Sequence, residues 1–336
     1  MVVLWLKFIL CSAVIVYCGT KLSRYGDVIA EKTGMGRAWT GLILVSSVTS
    51  LPELFIGISS VTIAGTPDIA LGDIMGSCVF NLAIIALLDI LHGPGPIFAK
   101  AEHGHILTAG FGIILIGFAC LALMAGSSLP SVGHVGLYVP VIIVIYGIGV
   151  RRIFLFEKRR LDRYAEEIAK TLQYDHVPLK TAVLNYAMFG VAIMLAAVWL
   201  PLISRDLAEA TGLGGSFMGT VLVAMTTSLP ELVVSVSALR IGATDMAIAN
   251  LFGSNMFNLV ILAVDDIFYL PGPLLWHVSS SHVMTGFIAM IMAGIAIVSL
   301  TYRLEKKTVL RLSWDAVAIL LAYVINIYLA YAMRNI

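Results

Sequence analysis

Apolar stretches of membrane-spanning length follow one another along the chain, separated by short polar segments. The pattern predicts helices near residues 2–22, 39–65, 68–91, 104–126, 133–155, 180–202, 216–241, 245–270, 280–301 and 311–333, five in each half. The second and the seventh are interrupted by the same unusual segment. Thr49-Ser50-Leu51-Pro52-Glu53-Leu54 returns 178 residues later as Thr227-Ser228-Leu229-Pro230-Glu231-Leu232. A proline breaks the helical hydrogen-bond ladder, and a carboxylate in hydrocarbon is costly. Carrying both twice, at matching depth, points to a buried polar site built from two halves.

The repetition extends beyond this segment. At the same offset Ala30, Glu31, Thr33, Gly34, Gly36 and Gly41 match Ala208, Glu209, Thr211, Gly212, Gly214 and Gly219. One residue drops out near Thr66. At an offset of 177, Asp68, Gly76, Ser77, Phe80, Asn81 and Leu82 then match Asp245, Gly253, Ser254, Phe257, Asn258 and Leu259. Asp89, Gly95, Pro96, His105 and Thr108 match Asp266, Gly272, Pro273, His282 and Thr285. A register kept over so many positions predicts a duplicated unit. The division expected is a first repeat over 1–156, a linker over 157–178 and a second repeat over 179–336.

Composition agrees with an integral membrane protein. The chain is 60% hydrophobic and 12% charged, with a mean hydropathy of +0.97, which excludes an ordinary soluble domain. The near-neutral net charge of +1 conceals an asymmetry. If ten spans alternate sides, 18 of the 21 lysines and arginines fall on one side and only Lys7, Arg205 and Arg334 on the other. The positive-inside rule then places both termini outside the cytoplasm. Five spans per repeat, an odd number, set the two halves in opposite orientations. The expected fold is thus an all-α integral membrane protein of the inner or plasma membrane, with ten transmembrane helices as two inverted-topology five-helix repeats, an arrangement common in secondary transporters. The first apolar segment is expected to be a retained span, because its repeat partner near 180–202 lies mid-chain. Cys11, Cys18, Cys78 and Cys120 stand in apolar segments without metal-ligand spacing and read as small packing residues.

The candidate chemistry lies around the two interruptions. On a helix, Thr49, Ser50 and Glu53 share one face, and Pro52 leaves the carbonyl of Val48 without its donor. Thr227, Ser228, Pro230 and Glu231 repeat the arrangement. In the following helices Ser77 and Asn81 are one turn apart, as are Ser254 and Asn258, while Gly76 and Gly253 allow close helix approach. All these donors are hard oxygens, which suit Na⁺ or Ca²⁺ better than a soft metal. Two ionised glutamates balance one Ca²⁺ or two monovalent ions, and a proton is a reasonable competitor of sodium. Asp73, one turn before Ser77, either faces the site as a third acid or sits peripherally with its own hydrogen bonds. Asp89, Asp265, Asp266, His105 and His282 fall near helix ends. They read as interfacial hydrogen-bonding groups, with a proton or cation entry path as the alternative.

These motifs resemble the alpha repeats of the calcium/cation antiporter superfamily, especially its sodium/calcium exchanger branch. The resemblance is carried by Thr-Ser-Leu-Pro-Glu at 49–53 and 227–231, Gly-Ser-Cys-Val-Phe-Asn at 76–81 and Gly-Ser-Asn-Met-Phe-Asn at 253–258. It implies Glu53 and Glu231 as central calcium ligands. Thr49, Ser50, Ser77, Thr227, Ser228 and Ser254 would supply sodium or calcium contacts, and Asn81 and Asn258 would shape the site. The chain departs from the pattern in carrying Asn258 where some exchangers have aspartate, Asp73 where asparagine is usual, and Cys78 in place of another asparagine. The activity implied is exchange of Ca²⁺ for Na⁺ by alternating access, without a cofactor, the partners being the ions and membrane lipid but not nucleic acid. The alternative is a proton-coupled exchanger of Ca²⁺ or another divalent cation. A channel and an intramembrane enzyme are weaker readings, since neither a carbonyl-lined filter sequence nor a Ser-His or His-Glu-x-x-His arrangement is visible, whereas a non-transporting sensor is told from a carrier by flux and not by sequence.

Overall fold

The computed structural model describes residues 2–93, 95–168, 174, 176–211, 225–303 and 312–332. Helix α1, Val2–Thr33, runs a full eleven residues beyond its apolar stretch and stops at Gly34, whose φ of 66° is readily open only to glycine. Helix α2 spans Arg37–Thr62, α3 Pro67–Leu91, α4 Gly104–Ala125, α5 Tyr138–Ile168 and α6 Leu179–Thr211. Helix α7, Leu229–Arg240, is followed by α8, Thr244–Phe268, α9, His282–Tyr302, and α10, Trp314–Ala332. Among the described residues nine helices are long and apolar enough to cross a membrane, and α7 is the one helix of this set that is too short. The expected span 216–241 falls in part on residues 212–224, which lie outside the described residues.

Two local departures from the expected helices have physical causes. The segment before α5 forms a two-stranded antiparallel hairpin, Ser131–Val132 against Val135–Gly136, turned at Gly133 (φ 62°). Residues 133–136, expected to be helical, are therefore part of a turn and strand. At its other end α5 continues to Ile168, into the expected linker, because no proline or glycine stops it before that point. The linker also docks: Tyr174 donates from its hydroxyl to Asp27 (3.1 Å) and from its backbone to Glu31 (2.8 Å). Asp27 further accepts from Arg37 Nε at 2.6 Å, tying the end of α1 to the start of α2.

Helices α8 and α3 form the interior, with 83% and 72% of their spanning windows buried, against 17% for α1 and α10. Helix α8 crosses α2 closely enough that two glycines are required. A Cβ on Gly253 would lie 2.7 Å from the Leu42 carbonyl, and one on Gly41 would lie 2.9 Å from the Ala249 Cβ. Small residues of this kind let helices pack without a hydrophobic driving force between them.

Aspartates brace the helix ends, and each brace occurs twice with the halves exchanged. Asp89 accepts from the backbone of Ile97 and Asp266 from that of Leu274, both at 2.7 Å. Asp89 also accepts from Ser313 (3.1 Å), Asp266 from Gly136 (2.9 Å). Asp68 bonds His282 (3.2 Å) and the Ser279 backbone (2.7 Å); Asp245 bonds His105 (3.0 Å) and the Glu102 backbone (2.8 Å). Four of the five side chains read as helix-end hydrogen-bonding groups behave so. Asp265 differs: neither of its carboxylate oxygens has a hydrogen-bond partner.

Candidate ion-binding site

Proline creates the site's local geometry. Ahead of Pro52, Ser50 leaves the helical region (φ −90°, ψ 8°), splitting α2 after Thr49 and restarting it at Leu51. Ahead of Pro230, Ser228 adopts nearly the same conformation (φ −85°, ψ 11°), and α7 starts at Leu229. A proline ring clashes with the preceding turn and supplies no N–H, so the chain is bent at both places. A π-helical turn over Gly41–Val45 adds a second irregularity to α2. Broken backbone at this depth is tolerated where it is buried in protein or lines a cavity.

The breaks bring the two halves together. Ser50 donates to Glu231 Oε1 (3.0 Å), and Ser228 donates to Glu53 Oε1 (3.2 Å). Each half thus hydrogen-bonds the carboxylate of the other. Ser254 reaches Glu231 Oε1 from α8 at 3.4 Å, and Ser77, on α3, lies 3.0 Å from the Ser228 hydroxyl. Thr49 donates to Asn250 Oδ1 (3.2 Å), and Thr227 donates to Asp73 Oδ1 (3.1 Å). Asp73 therefore occupies the place that Asn250 holds in the other half. Either side chain presents the same Oδ1 acceptor to a threonine.

A third layer joins the interior helices. Asn81 donates to Asn255 Oδ1 (3.1 Å), Asn255 donates to the Cys78 carbonyl (3.0 Å), and Asn258 approaches the Cys78 sulfur at 3.8 Å. Cys78 is the repeat counterpart of Asn255, so the substitution falls at the contact between α3 and α8. Neither Asn250 nor Asn255 was among the candidate site residues, although Asn255 lies within the segment 253–258. The signal available was the repeat itself, since both align with the two departures, Cys78 and Asp73.

All ten candidate ion-site residues, and Asp73, are at most 3% exposed. Their hydrogen bonds leave a set of acceptors over. Glu53 Oε2, Glu231 Oε2, Asp73 Oδ2, Asn81 Oδ1 and Asn258 Oδ1 are buried without a partner. Each unsatisfied buried acceptor costs about 1–3 kcal/mol, more when charged. All five are lone-pair donors, the kind of atom that a bound cation would satisfy. Among the described residues no three His, Cys, Asp or Glu side chains stand close enough to hold a metal by themselves. A cation between Glu53 and Glu231 would draw on hydroxyl and amide oxygens as well.

Known proteins place the chain in a family. Residues 3–150 and 181–332 match the family model described as sodium/calcium exchanger protein. The chain belongs to this family. As a member it is a membrane antiporter that transports ions, of the calcium/cation antiporter superfamily. It is 25% identical over 272 residues to the inner membrane protein YrbG of Escherichia coli (strain K12), covering 77% of each chain. Over 134 residues it is 35% identical to the sodium/calcium exchanger MaX1 of Methanosarcina acetivorans, 40% of this chain and 36% of that protein. Among solved structures it shares its fold with the sodium-calcium exchanger NCX_Mj, at a TM-score of 0.74 and 17% identity over 99% of both chains.

Proposed function

We propose that this antiporter exchanges Ca²⁺ for Na⁺ across the inner or plasma membrane by alternating access. Glu53 and Glu231 would be its central ligands. Thr49, Ser50, Ser77, Thr227, Ser228 and Ser254 would provide further oxygens, and Asn81 and Asn258 the frame. The observation that carries this reading is the crossed pair, Ser50 on Glu231 and Ser228 on Glu53. A site whose ligands come from both halves changes its access when one half moves against the other, with no ligand travelling far. The charge balance fits: two carboxylates neutralise one Ca²⁺ or two Na⁺, so the same cage serves both directions of exchange. The family match and the sodium/calcium exchangers among its relatives support calcium and sodium as the ions.

In this reading the halves 1–156 and 179–336 are inverted repeats joined by the linker 157–178. Ten spans, the seventh near 216–241, leave both termini outside the cytoplasm. Recurrence of each aspartate brace with the halves exchanged supports the two-fold relation.

The test is uptake of radioactive Ca²⁺ by proteoliposomes holding the purified protein, with an outward Na⁺ gradient, an outward H⁺ gradient, or neither. Uptake under the sodium gradient alone is expected. Uptake under the proton gradient alone would transfer the site to proton-coupled exchange, in which the unpartnered glutamate oxygens carry protons. Absence of uptake under both gradients would show calcium to be the wrong substrate.

A further inference from the structure

Asp265 is fully buried, at 0% exposure, and neither carboxylate oxygen accepts a hydrogen bond. It stands outside the cluster just described. Its neighbour Asp266 faces elsewhere, bonded to Tyr138, Gly136 and Leu274. Asp265 also breaks the duplication, because its counterpart at an offset of 177 is Leu88. The acid is thus a feature of one half only and plays no part in the paired braces.

Its position is set by Gly57. A Cβ there would overlap the Asp265 carboxylate, with Oδ1 and Cγ at 2.6 and 2.7 Å. Gly57 comes four residues after Glu53 on α2, about one helical turn or 6 Å along the axis. Asp265 comes seven residues after Asn258 on α8, about two turns further on the same face. The carboxylate lies beside the helix that carries Glu53, one turn nearer the membrane surface. In the topology proposed above, that surface is the extracytoplasmic one. Buried acids on the helices packed against α8 include Glu53 on α2, Asp73 on α3 and Glu231 on α7. An isolated charge in such surroundings carries a large desolvation penalty unless a cation joins it.

We propose that Asp265 is an additional cation-binding residue, a staging position for a monovalent cation between the extracytoplasmic surface and Glu53. The cation is a proton or Na⁺, and one carboxylate suffices for its charge. The glycine at 57 makes room for the carboxylate at this position. This inference rests on the proposed topology for its sidedness, but its test requires no calcium flux.

The experiment is infrared difference spectroscopy of the full-length protein in lipid, titrated with acid and separately with NaCl. The wild type is compared with Asp265→Asn and with Gly57→Ala, which retains the acid but crowds it. If a proton occupies Asp265, a carboxylic-acid C=O band is present, fades as pH rises, and is lost in Asp265→Asn. If Na⁺ occupies it, a carboxylate band shifts saturably with NaCl, and that shift is lost in Asp265→Asn. Either result supports the proposal and identifies the cation, and Gly57→Ala displaces the same band should Asp265→Asn fail to fold. Wild-type spectra that match those of Asp265→Asn throughout both titrations, or a Gly57→Ala protein with an unshifted Asp265 band, would overturn it. Because these spectra register occupancy without turnover, they stand even if calcium proves not to be the substrate.

Discussion

At the scale of the residue, the ion site is a matter of which oxygens are already used. Glu53 and Glu231 each spend one oxygen on a serine from the other half and keep the second unpartnered. Ser50 and Ser228 should therefore be equivalent. Hydrogen bonds to charged groups contribute about 1.5–3 kcal/mol, so Ser50→Ala and Ser228→Ala should each weaken calcium binding by roughly tenfold to hundredfold. Calorimetric titration checks this, and a large effect in one variant beside none in the other would contradict the crossed arrangement. Glu53→Gln and Glu231→Gln should each abolish exchange while the folded protein stays in the membrane, as measured by flux and size-exclusion chromatography. The glutamates were legible in the sequence because a membrane carboxylate is rare and these two recur beside proline. Asn255 was not. Its segment carries the motif, but not the fact that this asparagine meets Asn81 and Cys78 across a helix interface.

At the scale of the element, sequence reading worked where apolar length alone decides a helix and failed where polar tertiary contacts extend one. Helices α3 and α4 begin and end within about one residue of expectation. Helix α1 instead continues to Thr33 through Lys21, Arg24 and Asp27. Its last turns lie against the rest of the protein, with Asp27 buried under Arg37 and Tyr174. No hydropathy window registers such contacts. The hairpin at 131–136 was hidden for a similar reason, since its brace to Asp266 joins residues 130 positions apart. The crossing of α2 and α8 gives a sharp prediction. Gly253→Ala forces a methyl group against the Leu42 carbonyl, a backbone atom that cannot swing aside. Overpacking of this kind destabilises by about 1–3 kcal/mol. Thermal unfolding in detergent should show a clearly lowered midpoint. The same change at Gly110, which has open space around its Cβ, should leave the midpoint nearly unmoved.

At the scale of the whole molecule, the duplication visible in the sequence became a set of paired contacts across the structure. The sequence offset could align the repeats, but it could not show that Ser50 and Ser228 each hydrogen-bond the other segment's glutamate. That requires knowing which helices meet. The inverted orientation has its own test. In a protein freed of its four cysteines, Ser279→Cys, an exposed position near the start of α9, should react with a membrane-impermeant maleimide applied from outside. Lys100→Cys, exposed before α4, should react only after permeabilisation. Reaction of both from the same side would contradict opposite orientation of the halves. The most direct test of the central claim, a single cage shared by both halves and open to either ion, is equilibrium binding of radioactive Ca²⁺ to the purified protein with increasing Na⁺. The account predicts one Ca²⁺ per chain, displaced by Na⁺, and lost in both Glu53→Gln and Glu231→Gln. Binding that survives in either variant, or that sodium leaves untouched, would contradict it.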